Sequence, residues 1–166
     1  MKKNEIIGVG IILAVIFITA FFNLKNSLLL ARDVQRKNDL KHIATALTAY
    51  TDIARSYPGA IDGKIANCGD DMTGACRWGI DPLNASESAI MERMPNDPSW
   101  AQSYSYLYRS NRKDFQLYAH LEDKNEEEID RDIEKKGFSC GVAVCNFGLS
   151  SSKLPLTENI EEVVEE

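Results

Sequence analysis

The sequence predicts an α+β fold: a long N-terminal helix, its first half transmembrane, packed by its second half on a small antiparallel β-sheet. Three observations predict it. No proline falls between Glu5 and Arg55. Apolar residues first fill every side of that stretch, then recur at steps of three and four. From Tyr104 to Leu121 the apolar step changes to two, the period of strands.

The first element runs uncharged from Ile6 to Leu24, nineteen residues. At 1.5 Å per residue this is about 28 Å of helix, close to the roughly 30 Å hydrocarbon core of a bilayer. A cleavable signal would have a shorter apolar region and end at small residues. Here Phe21, Phe22, Asn23 and Leu24 follow, so the segment is read as a retained span. Lys2 and Lys3 favour a cytoplasmic N-terminus, although Lys25, Arg32, Arg36, Lys37 and Lys41 on the other side outnumber them. The positive-inside rule taken alone would place the globular domain inside; the cysteines argue the other way. Cys68, Cys76, Cys140 and Cys145 form two close pairs whose spacings are not those of zinc knuckles. Paired cysteines in an anchored chain point to disulfides in an extracytoplasmic head. Four cysteines allow three connectivities; local pairing, Cys68 with Cys76 and Cys140 with Cys145, is expected because short loops close cheaply.

Beyond the span, Leu30, Val34, Leu40, Ile43, Leu47, Tyr50 and Ala54 trace one apolar face, opposite Arg32, Arg36, Lys37, Asp39 and Lys41. The helix is expected to continue, straight or gently kinked, until "SYPG" (56–59) stops it; the alternative is two helices, one spanning and one globular, joined near Asn23–Ser27. The segment from Gly59 to Ala85 reads as loop. "SESAIMERMP" reads as a short helix capped by Ser86 and closed by Pro95. After the turn "PNDPSW", the stretches "SYSYLYRS" and "FQLYAHLE", joined by "NRKD", read as a β-hairpin. "FSCGVAVCNFGL" reads as a strand or a turn clamped by Cys140 and Cys145. The domains are thus the span (1–25), a globular domain (26–153) and an acidic tail (154–166) expected to be mobile.

The formal net charge of −6 argues against nucleic acid, which requires a basic footprint. No phosphate-binding glycine loop, nucleophile motif or metal-ligand spacing is present, and no enzyme activity is expected. His42 and His120 have no catalytic pattern around them and are read as exposed or partly packed. No cofactor is expected. Calcium is the one candidate, at Asp62, Asp70 and Asp71 or at Asp81, Asn96 and Asp97, though plain turns explain both groups.

Three segments then carry a resemblance. "ARDVQRKNDLKHIATALTAYTDIARSYP", "MPNDPSWAQSYSYLYRSNRKDFQLYAHLED" and "CNFGLSSS" resemble, in order, the helix, the turn with hairpin, and the terminal segment of type IV pilins and type II secretion major pseudopilins. The resemblance implies a filament subunit of a type IV pilus or pseudopilus, assembled through the N-terminal helices, with the membrane and an assembly machinery as partners. It also implies a role for Glu5. In the family this glutamate answers a neighbouring subunit's N-terminal amine. The family's basic leader ends in a Gly–Phe junction ahead of the glutamate, which "MKKNEIIG" does not reproduce. The alternative is a monomeric, membrane-anchored extracytoplasmic binding domain.

Overall fold

The computed structural model of the chain describes residues 3–68, 74–86, 88–151 and 154–160, the side chains of 3–7 and 9 excepted. A single helix, α1 (Lys3–Ala54), has 52 residues. That corresponds to about 78 Å at the usual rise, enough to cross a bilayer and still span a head. It ends where Arg55 turns left-handed (φ 64°), ahead of Pro58 and Gly59.

The Gly59–Ala85 segment is not all loop. Strands β1 (Ala60–Ile61) and β2 (Lys64–Ile65) pair antiparallel around Asp62 and Gly63, both at positive φ. Asp-Gly between two short strand segments is a strong two-residue hairpin signal, because both central positions need φ above zero. Asp62, read from sequence as a calcium candidate, is thus a turn residue. Strands β3 (Leu83–Ala85) and β4 (Ser88–Met91) form a second hairpin, with an irregular register between Leu83 and Asn84. This corrects the expected helix over "SESAIMERMP". Ser86 adopts φ 53° at the hairpin turn and caps no helix. Four or five apolar residues carry too little periodicity to separate strand from helix, and pairing with Leu83 decides the outcome.

The main sheet has β5 (Leu107–Ser110), β6 (Phe115–Ala119) and β9 (Phe147–Ser150), antiparallel in the order β5-β6-β9. The β5–β6 turn is the expected "NRKD", where Asn111 Oδ1 accepts from the Lys113 and Asp114 amides at 2.9 and 2.7 Å. Leu40, Ile43, Leu47 and Tyr50 of α1 pack with Leu83, Phe115, Leu117 and Phe147 in one core. The helix stripe therefore begins at Leu40. Leu30 and Val34, expected on it, are 48% and 44% exposed, and Ala54 is exposed too.

Strand β6 departs from simple alternation: all five residues are buried. Its inner residues face α1. Gln116 and Tyr118 on the other face are covered by the C-terminal segment, with Gln116 Nε2 donating to the Pro155 and Glu158 carbonyls at 3.2 and 2.8 Å. The tail expected to be mobile from Leu154 is therefore docked as far as Ile160, which is 3% exposed. Residues 161–166 lie outside the described residues.

Between β6 and β9 come a short helix, α2 (Arg131–Lys135), and a small hairpin of β7 (Ser139–Cys140) and β8 (Ala143–Val144). Asp130 caps α2 by accepting from the Asp132 amide. The hairpin is closed by a Cys140–Cys145 disulfide, Cα atoms 5.1 Å apart; Cys68 and Cys76 are joined likewise at 4.8 Å. At Gly141 (φ 79°) a Cβ would lie 1.9 Å from the Ser103 carbonyl oxygen, so only glycine permits this approach. Non-reducing peptide mapping is expected to recover these two local links, and Cys140→Ser with Cys145→Ser to cost about 2 kcal/mol by the loop-entropy argument. Recovery of Cys68 linked to Cys140 or Cys145 would refute the pairing.

Candidate functional site

Two features of α1 set what the chain can do: a bare apolar half and a charged clasp that fastens the other half to the head.

Along the first half, the side chains described from Ile11 to Leu24 project outward on every side, with Phe17 74% exposed. Thr19 hides its hydroxyl by donating to the Val15 and Ile16 carbonyls at 3.0 and 2.9 Å, as a helix in lipid requires. Lys25 closes the stretch and leans back over the Phe21 ring, 4.9 Å from its centroid. No described part of the head covers this half, which is long and apolar enough to cross a membrane. Glu5 lies on α1 below it, but its side chain is outside the described residues.

The clasp begins eight residues beyond Leu24. Arg36, expected on the solvated face, is fully buried, as is Asp33. Arg36 Nε and Nη2 donate to the two carboxylate oxygens of Asp97 at 2.8 and 3.0 Å; Nη1 donates to Asp33 at 2.7 Å. Nη2 also meets Glu122 Oε1 at 2.6 Å. Arg32 grips the same Glu122 in a bidentate pair at 2.9 and 2.7 Å. Two guanidiniums thus face three carboxylates from three parts of the chain: α1, the turn before β5 and the end of the β6 segment.

The local sequence explains the placement. Asp97 Oδ1 accepts from the Ser99 amide at 2.7 Å, so "PNDPS" folds as an Asx turn that presents the carboxylate to Arg36. Asp33 accepts from the amides of Glu122 and Asp123 at 2.8 to 3.0 Å, satisfying backbone donors past the end of β6. Asn146 extends the ladder similarly, exchanging both amide bonds with Leu121 at 2.7 and 2.9 Å. Burial pushes the Glu122 carboxyl up, but the hydrogen bonds from Arg32 and Arg36 outweigh it and hold it down at about 2. Burial likewise pulls the Arg36 guanidinium down; its bonds to Asp97, Glu122 and Asp33 reverse this and raise it. One turn further on, Asp39 accepts from the Tyr106 hydroxyl at 2.7 Å, and burial raises its carboxyl despite that bond. Lys37 pairs with Glu126 and Glu128 at the edge of the clasp.

Sequence reading missed this cluster, yet a signal was present. Asp33, Arg36, Leu40, Ile43, Leu47 and Tyr50 follow one another at steps of three and four. The two charges are in phase with the apolar stripe, whereas Val34 is one position out.

The other candidates separate differently. Asp97 is held by Arg36, and Asp81 by Arg77 at 2.7 Å, so the proposed group with Asn96 has its carboxylates already engaged. Asp70 and Asp71 lie outside the described residues. Among those described, no group of His, Cys, Asp and Glu is arranged to hold a metal ion. His42 is exposed, and His120 Nδ1 lies 2.6 Å from the Val144 carbonyl.

No curated protein and no solved structure matches the chain. The family model of type II secretion system protein G matches residues 23–136, which include every residue of the clasp but not β9 or the docked tail. With a span-length apolar helix, a clasp that locks it to an α+β head and a match over more than half its length, the chain belongs to the family of type II secretion system protein G, the major pseudopilin.

Proposed function

We propose that the chain is a structural, non-enzymatic subunit of a pseudopilus-like filament, held in the membrane before assembly and joined to its neighbours through the first half of α1. The observation that carries this reading is the continuity of α1. One helix is bare and apolar where other helices or lipid would surround it, and bolted through Arg36 where the head begins. A force or register imposed on the lower half is thereby delivered to the head. A cytoplasmic N-terminus and an extracytoplasmic head fit the two disulfides. The partners in this reading are the membrane, further copies of the chain and an assembly machinery.

Glu5 is assigned the registry role. A carboxylate near the start of an apolar helix is costly to bury unless a cation meets it, and a neighbour's N-terminal amine would supply one. Glu5→Ala is expected to insert in the membrane as the parent does, while filament yield falls at least tenfold. Sheared-filament yield and membrane fractionation, scored together with Lys2 and Lys3 unchanged, test this. Normal yield from the variant would remove the registry role and favour a membrane-anchored monomer.

A further inference from the structure

Trp100 is 63% exposed, although tryptophan is among the side chains that folding usually covers. With Ile80, exposed likewise, it lines a cleft of about 600 Å³ beside Gln35 and Asp39 of α1. Sites for small molecules run from about 300 to 1,000 Å³. The walls of this cleft are fixed. The Gly79 amide donates to the Met94 carbonyl, and the Met94 amide to the Asp81 carbonyl, both at 2.9 Å. Arg77 Nε and Nη2 hold the Asp81 carboxylate at 3.0 and 2.7 Å. A Cβ at Gly79 would lie 2.8 Å from Asn96 Cβ, so the two walls meet in close contact. Trp100 opens a short 3-10 turn, its amide donating to the Asp97 carbonyl at 3.0 Å. Because Arg36 holds Asp97, the clasp also anchors the base of this exposed ring.

The polar groups of the cleft select a ligand. Asp39 accepts from the Tyr106 hydroxyl at 2.7 Å and from the Gln35 side chain. A carboxylate offers about four acceptor sites, so it can take a further donor. Trp78 stands edge-on to the Tyr106 ring, centroids 5.8 Å apart. It is 7% exposed, and its Nε1 has no acceptor among the described residues. Leaving such a donor unmet is costly. The cleft thus joins a carboxylate that can still accept to an indole that can still donate, with Arg93 at the rim. A cationic ligand would suit Asp39, but it would leave Trp78 unanswered and oppose Arg93. An anionic one would oppose Asp39. A neutral hydroxyl both donates and accepts at one oxygen, and meets both needs.

We propose that this cleft binds a pyranose ring of a glycan, a sugar hydroxyl donating to Asp39 and accepting from the Trp78 indole, with one face of the sugar laid on Trp100. A pyranose carries both kinds of surface the cleft presents: hydroxyls around its edge and a face of C–H groups. The C–H face is drawn to the negative face of an aromatic ring. Gln35 and Asn96 supply further amide donors and acceptors for neighbouring hydroxyls. No residue of the apolar half of α1 takes part, so the glycan site stands or falls separately from the filament reading.

Titration calorimetry tests this on the full chain in a detergent without a sugar headgroup, so that no detergent competes. Hexasaccharides of glucose and of N-acetylglucosamine are the probes, with the two single sugars beside them to tell a glycan chain from free sugar. At least one of the four is expected to bind. The chain has two tryptophans, and Trp100 is the exposed one, so binding should shift its emission to shorter wavelength. Trp100→Ala removes an exposed side chain, which leaves the fold intact, and should weaken binding roughly tenfold. Asp39→Asn keeps an acceptor for Tyr106 and should weaken it about fivefold, a neutral bond replacing a charge-assisted one. Arg55→Ala, remote from the cleft, should bind as the parent does, and thermal melts show that each variant is folded. Absence of heat and of an emission shift with all four sugars at millimolar concentration would overturn the site. So would binding that Trp100→Ala leaves unchanged. An emission that moves only on transfer from detergent to lipid vesicles would make Trp100 a membrane-interface anchor and overturn it as well.

Discussion

Replacing Arg36 with methionine is expected to unfold the head at temperatures where the parent is stable. The side chain is fully buried, and its loss strands Asp33 and Asp97, which are 0% and 1% exposed. Removing one partner of a buried ion pair costs about 3 to 5 kcal/mol, because the charge left behind has neither water nor a counter-ion. For a domain of this size that lowers the melting temperature by about 10 °C or more. Arg32→Met is the control: Arg32 is one-third exposed, and Glu122 would keep Arg36. It should cost about 1 kcal/mol or less. Urea unfolding of the full chain in detergent, followed by circular dichroism, separates the two. Equal midpoints for Arg36→Met and the parent would refute the clasp as the fastening of helix to head.

The same cluster sets a pH signature with a definite sign. Glu122 is held at about 2 when folded, against an ordinary value near 4.5. A depressed carboxylate contributes stability above its unfolded value, and that contribution is lost as pH falls from about 4.5 through about 2. Asp39 is raised, so its protonation works in the opposite sense over the window above its ordinary value. The clasp, with more bonds at stake, should dominate, and the parent should lose stability on acidification. In Arg36→Met the acid-side loss attached to Glu122 should shrink, because one of the two guanidiniums that hold its carboxyl down is gone.

What the sequence disclosed, and what it withheld, follows from how locally each feature is determined. The span and the unbroken α1 need only composition and the absence of proline. The β5–β6 hairpin needs period-two alternation and a four-residue polar turn. Both were legible. The β3–β4 hairpin was not, because Ile90, Met91 and Met94 satisfy helical spacing until Leu83 pairs with Met91. Arg36 was hidden by a sound general rule, that arginine faces water. The exception rests on Asp97 and Glu122, which are 61 and 86 residues away along the chain. Distant partners are what a periodicity cannot show.

Ending the chain at Ser151 is expected to destabilise the head by about 3 kcal/mol, although residues 154–166 read as a mobile acidic tail. Leu156 packs against a small core of Tyr118, Ile133 and the Cys140–Cys145 pair. Ile160 is buried, and its carbonyl accepts from Arg109 at 3.1 Å. Burying such side chains contributes about 1.5 to 3 kcal/mol each, less the entropy of ordering the segment that carries them. Gly148 shows how closely the segment lies: a Cβ there would meet Leu156 Cδ2 at 3.1 Å and the Leu117 carbonyl at 2.8 Å. Without the segment, Gln116 loses its two carbonyl acceptors, and Tyr118 keeps only the cover of Ile133, Phe138 and the Cys140–Cys145 pair. Ending the chain after Ile160 keeps all of these contacts and is the matched control. Hydrogen exchange gives the local readout, with the Glu158 amide protected by its bond to the Pro155 carbonyl at 3.1 Å. If both truncations melt with the parent and the Glu158 amide exchanges at the free-chain rate, the segment is not docked, and the burial of β6 on its outer face needs another cover.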